Sequence, residues 1–159
     1  MKIIKNINLL KEQADITNIK EGNKIARKLI EKLKAYKGIG LSAPQLGIYK
    51  KVFVTWLDKV AETFINPKII SRSNSVFFSQ EKCLSLPGIT KKIERWRWVT
   101  LICDNWLEPK TFGDESLFIL PNPEDKIKKR LIETSVVQHE IDHLIGCLII
   151  DKENYEYKI

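Results

Sequence analysis

No stretch of this 159-residue chain is apolar for the roughly 18–20 residues a membrane helix needs. The first residues, Met1-Lys2-Ile3-Ile4-Lys5-Asn6, lack the apolar core and small-residue cleavage site of a secretory leader. A soluble, cytoplasmic protein with no membrane partner is the expectation. Cysteine is scarce and odd in number, with Cys83, Cys103 and Cys147 at no framework spacing, which argues against a disulfide scaffold. No Gly- or Pro-rich tract, repeat or low-complexity run divides the chain, so residues 1–159 are expected to form one domain. Disorder is not indicated, because 43% of the residues are hydrophobic and only 30% charged. Scarcest among the chemistry-bearing residues is histidine. The chain holds two, His139 and His143.

Lysine, by contrast, is abundant. The net charge is +7, concentrated in Lys24 to Lys37, Lys50-Lys51, Lys91-Lys92 and Lys126 to Arg130. Such runs usually form solvated helix faces. Contact with an anionic partner such as ribosomal RNA is the alternative, but no nucleic-acid motif accompanies it and specific DNA binding is not expected.

Glu21 to Tyr36 places Ile25, Ala26, Leu29, Ile30, Leu33 and Tyr36 at helical spacing, and Lys37-Gly38-Ile39-Gly40 ends that helix in a bend. Strand character follows at Val52 to Trp56, Phe64-Ile65, Lys68 to Arg72, Val76 to Ser79 and Trp96 to Cys103. Asp104 to Asp125 is turn-rich, with one candidate strand at Leu117 to Leu120. Pro123-Glu124-Asp125 then opens a helix from about Lys126 to Ile145, on which Ile132, Val136, His139 and His143 share a face. The order predicts an α+β fold: small, mostly antiparallel β-sheets around a central helix carrying the motif HExxH.

Both histidines sit in Gln138-His139-Glu140-Ile141-Asp142-His143. Positions four apart on a helix stack on one face, so both imidazoles can reach one metal ion, with Glu140 beside them to act on an activated water. A catalytic site of this type usually needs a third protein ligand. The extended protease pattern requires a histidine where this chain has Ile149, which excludes that version. The best upstream candidate is Cys83, whose thiolate with two imidazoles suits iron, zinc, nickel or cobalt. Cys103 and Cys147, in apolar surroundings, are expected to be buried structural thiols.

Three motifs together resemble the peptide deformylases. Gly38-Ile39-Gly40-Leu41-Ser42-Ala43-Pro44-Gln45 is similar to the family's GxGLAAxQ, Glu81-Lys82-Cys83-Leu84-Ser85 to EGCLS, and Gln138 to His143 to QHExDH. The likeness runs from the first helix to about Asp151 and fits a compact, phage- or organelle-like form without the long C-terminal helix.

The resemblance implies removal of the formyl group from the N-terminal methionine of new proteins, with release of formate. It implies Cys83, His139 and His143 as ligands of one divalent ion, Fe2+ first, with Zn2+, Ni2+ or Co2+ as substitutes. Glu140 would carry the proton, while the Gln45 amide and the Leu84 backbone N–H would donate to the oxyanion. Gly40 would let the substrate main chain approach, and Ile39, Leu84 and Val136 would line the methionine pocket. Glu81 and Arg95 would pair behind the site, and Gln138 and Asp142 would orient its parts. The implied partners are N-formylmethionyl nascent peptides near the ribosome, met by a monomer in bacterial or phage-host cytosol, with an organelle as the alternative. Lys82 departs from the family's glycine, tolerable if its φ is negative. A metallopeptidase is the second reading, and a structural metal site the non-enzymatic one.

Overall fold

In a computed structural model, residues 1–114 and 125–152 are described. Among these described residues there are three α-helices, α1 (Ile7–Leu10), α2 (Ile19–Tyr36) and α3 (Asp125–Leu144). The strands are β1 (Gly40–Ser42), β2 (Val52–Leu57), β3 (Val60–Ile65), β4 (Lys68–Arg72), β5 (Val76–Cys83), β6 (Leu86–Trp96), β7 (Trp98–Ile102) and β8 (Lys110–Gly113). They form three small antiparallel sheets, β1-β2-β3, β4-β7-β8 and the hairpin β5-β6. The α+β expectation holds. The candidate strand Leu117 to Leu120 lies outside the described residues.

Helix α2 begins where Asn18 accepts from the Glu21 N–H and ends where Lys37 turns left-handed. Its apolar stripe of Ile25, Ala26, Leu29 and Leu33 is buried against Leu41, Val52, Val54 and Ile65 of the first sheet. A second cluster joins Phe53, Phe64, Val99 and Leu101 to Val137 and Leu144 of α3, with the Phe53 and Phe64 rings stacked at 4.1 Å. The third holds Cys83, Leu86 and Ile93 of the hairpin with Leu10, Leu148 and Ile149. Helix α3 touches β1, β2, β6, β7 and β8, so a face of α3 meets each sheet.

Four local features differ from the sequence expectation. Gly40 to Ser42 forms a strand paired with β2, and Ala43–Leu46 a 3-10 turn, where only a bend was expected. Trp96 to Cys103 divides at Arg97 into the end of β6 and the start of β7. The turn-rich segment holds β8. Finally, Pro87-Gly88 is not a hairpin turn. The turn is Leu84-Ser85, and pairing jumps from Lys82↔Thr90 to Cys83↔Leu86, which leaves residues 87–89 as a bulge on β6.

Candidate metal centre and cleft

The site assembles where the β5–β6 turn, the segment after α2 and the middle of α3 meet. Cys83 ends β5 immediately before the two-residue turn, while His139 and His143 project from successive turns of α3. One ligand atom from each of the three lies within 4.8 Å of the others. The Cys83 Sγ is 3.2 Å from His143 Nε2, and the two imidazole rings are 5.0 Å apart, nearly perpendicular.

His139 is fixed from behind. His139 Nδ1 is 2.9 Å from Glu81 Oε2, which leaves Nε2 for the centre. Glu81 in turn accepts two hydrogen bonds from Arg95, at 2.6 and 2.7 Å. The same guanidinium donates to Asp142 at 2.6 Å, and Lys152 donates to the other Asp142 oxygen at 2.9 Å. Arg95 is 1% exposed, so this is a buried alternation of charges rather than a surface pair. Burial pushes the Glu81 carboxyl up, but Arg95 and His139 outweigh it and bring it down to about 2.

Gln138 clamps α3 to the end of β6. Its Oε1 accepts from the Trp96 N–H at 3.0 Å, and its Nε2 donates to the Trp96 carbonyl at 2.9 Å. Gln45 is oriented with equal care. Its Oε1 accepts from the Ser42 N–H at 2.9 Å and from the Ser42 hydroxyl at 3.0 Å. That fixes the amide direction, so Nε2 donates toward Cys83 Sγ at 3.5 Å and the Ser85 hydroxyl at 3.2 Å. Ser42, Ser85, Thr134 and Lys152 were not singled out from the sequence. Small hydroxyls and a lone lysine carry no pattern of their own, and only their partners reveal them.

Glu140 lies 3% exposed against β1. A Cβ on Gly40 would stand 2.5 Å from Glu140 Oε1 and 2.8 Å from Val136 Cγ1. The missing side chain therefore makes room for the carboxyl, a role distinct from the expected approach of substrate main chain. Burial pushes the Glu140 carboxyl up to about 7, while His139 and Ser42 pull it back.

The donor set fits a divalent cation. Burial, then His139, holds His143 well below the ordinary imidazole range, the neutral form a ligand requires. Among the described residues, Glu140 Oε2 and His143 Nδ1 are buried without a hydrogen-bond partner. Burial works against a proton on His139, yet Cys83, Glu81 and Glu140 raise it to about 10. The field that favours a positive charge there also favours a metal ion.

A cleft of about 750 Å³ opens over these groups, lined by Ile39, Gly40, Gln45, Leu84, Val136 and the bulge at 87–89 among others. Glu140 lines it as well, so all six residues expected to catalyse or to contact substrate do, whereas Arg95, Gln138 and Asp142, expected behind the site, are not part of the lining. Ile39 is at the mouth, 48% exposed. Ile132, expected on the buried face of α3, is 47% exposed and also lines the cleft. Lys82 does not have the positive φ that would demand glycine.

Fold and site together define an α+β protein with a Cys-His-His group able to hold one metal ion beside a deep cleft. The polypeptide deformylase family model matches residues 2–158. Peptide deformylase 2 of Prochlorococcus marinus (strain MIT 9313) is 35% identical over 140 residues, which cover 85% of this chain and 63% of that protein. A peptide deformylase of Pseudothermotoga lettingae is 35% identical over 142 residues, 88% of this chain and 71% of its own length. The crystal structure of peptide deformylase from Thermotoga maritima superposes with a TM-score of 0.78 at 27% identity, covering 96% of this chain and 95% of that one. This chain belongs to the polypeptide deformylase family.

Proposed function

We propose that this protein is a metal-dependent hydrolase that removes the formyl group from N-formylmethionyl peptides and releases formate. The observation that carries the reading is the convergence of Cys83, His139, His143, Glu140 and Gln45 beside one cleft, with His139 held by Glu81 and Gln45 by Ser42. Cys83, His139 and His143 would hold the ion. Their sulfur and nitrogen donors suit iron, zinc, nickel or cobalt alike, and the likeness to the deformylases puts ferrous iron first. When bound there, the ion supplies Lewis acidity and lowers the pKa of water.

The chain's own groups do the rest. Water adds to the formyl carbon as Glu140 takes its proton. The C–N bond then breaks, and Glu140 returns the proton to the departing amine. Charge on the formyl oxygen is met by the Gln45 Nε2 donor and the Leu84 backbone N–H. The turn at Leu84-Ser85 and the Ser42 clamp hold these donors before substrate arrives, so no reorganisation is needed at the moment of reaction. Ile39, Leu84 and Val136 line the cleft and would contact the methionine side chain. The substrate is then a nascent chain in the cytosol beside the ribosome, met by a monomer. No helix among the described residues is long and apolar enough to cross a membrane, which agrees with that setting.

The test is formate release from a short formyl-Met peptide by protein purified anaerobically with iron or nickel. Turnover is expected with one ion per chain. Glu140→Gln should keep the ion and lose about 100- to 10,000-fold in kcat. A stoichiometrically loaded protein that releases no formate would overturn the proposal. Cleavage of an unformylated internal peptide bond would favour a metallopeptidase instead.

A further inference from the structure

Among the described residues, the exposed charges at the mouth of the cleft are of one sign. Lys82 and Lys37 both line the cleft, and both are exposed. They come from different elements. Lys82 is on β5 opposite Thr90, and Lys37 caps α2 at φ 53°, directly before Gly38. The lining also contains two carboxyls, but neither is available at the mouth. Glu81 is engaged by Arg95 and His139, and Glu140 is buried against Gly40. Among the described residues, neither lysine forms an ion pair. The strand position of Lys82 has no left-handed backbone to satisfy, so a side chain is free to stand there.

We propose that Lys82 and Lys37 make the cleft selective for peptides with an acidic residue at the second or third position. This rests on the deformylase reading. With the formyl-methionine at the floor, an extended peptide advances about 3.3 Å per residue, so its next two residues lie at the mouth, within reach of long flexible lysines. A carboxylate there gains two cations with no competing partner, whereas a lysine or arginine meets like charge. The contact is exposed and present in ground and transition states alike, so it acts on KM more than on kcat. An exposed pair of this kind is worth about a two- to fivefold effect.

The experiment measures kcat/KM of the metal-loaded protein on formyl-Met-Ala-Asp, formyl-Met-Ala-Ala and formyl-Met-Ala-Lys amides at low and high salt. The expected order is Asp over Ala over Lys, about fivefold or more between the extremes, carried by KM and shrinking as salt screens it. Lys82→Glu should invert the order. Lys37→Asn, which tolerates the left-handed backbone, should reduce the ratio without inverting it. Equal kcat/KM for Asp and Lys at low salt, or a ratio unchanged in Lys82→Glu, overturns the selectivity. Failure to turn over any of the three peptides overturns the deformylase reading itself.

Discussion

At the scale of single residues, the site is governed by what each side chain is denied. Gly40 is denied a Cβ, and Glu140 occupies the space. Gly40→Ala places a methyl against both the Glu140 carboxyl and Val136, and the overpacking should cost about 1–3 kcal/mol of stability. The displaced carboxyl should cost more in rate, about 100-fold in kcat. Steady-state formate release alongside a denaturation curve separates the two effects. The hexapeptide Gln138 to His143 was legible because two histidines at helical spacing have few structural uses. Cys83 was legible because a third donor had to lie upstream. The second purpose of Gly40 was not, since a sequence shows that a side chain is missing but not which neighbour fills the gap. The serine that orients Gln45 was equally hidden, because a serine after a glycine-rich bend has many uses.

At the scale of elements, α3 is the part on which everything else converges. Its register against β6 depends on the Gln138 amide, which satisfies both the N–H and the carbonyl of Trp96. Gln138→Leu keeps the volume but removes both of these hydrogen bonds, although the Trp96 carbonyl still accepts from the Thr134 hydroxyl at 3.3 Å. A loss of about 1–3 kcal/mol follows, measured by urea denaturation, and kcat should fall with it as His139 shifts. Both long helices were readable in advance. Of the expected stripe, Ile25, Ala26, Leu29 and Leu33 are buried as the spacing demanded and Ile30 is half-buried, while Tyr36 at the helix end is exposed, and α3 differs from its expected bounds by one residue at each end. The short strands were harder. β1 is three residues inside a motif whose glycines suggest a bend, and its pairing with β2 comes from residues 11 to 15 places away. Pro87-Gly88 reads as a turn because those residues usually make one. Here they sit in a bulge at the start of β6, where proline loses no ladder bond.

At the scale of the whole molecule, two of the three buried clusters take residues from α3 or the segment after it, and a buried thiol, Cys103, sits in the one that holds Val137 and Leu144. Burial, followed by Glu62, pushes the Cys103 thiol up to about 12. The folded state therefore holds its proton more tightly than the unfolded chain does, with an ordinary thiol pKa near 9. The Cys103 contribution is fully present below pH ~9 and is lost as pH rises from there toward 12. Cys103→Ala should flatten the decline of stability over that interval relative to the unmodified protein, as read from thermal midpoints at stepped pH. Overall charge, by contrast, was legible in amount but not in use: the lysine runs showed that the surface is basic, and only the fold showed Lys37, at the end of one run, and Lys82, outside all of them, at the mouth of the cleft. The distance along the chain between Cys83 and His143 has a separate consequence in time. Sixty residues divide them. At roughly 5–20 residues per second of synthesis, the hairpin thiol waits about 3–12 s for the second imidazole to be made. Through that interval Cys83 has no partner helix to cover it, so the three-ligand group closes only after α3 has been made.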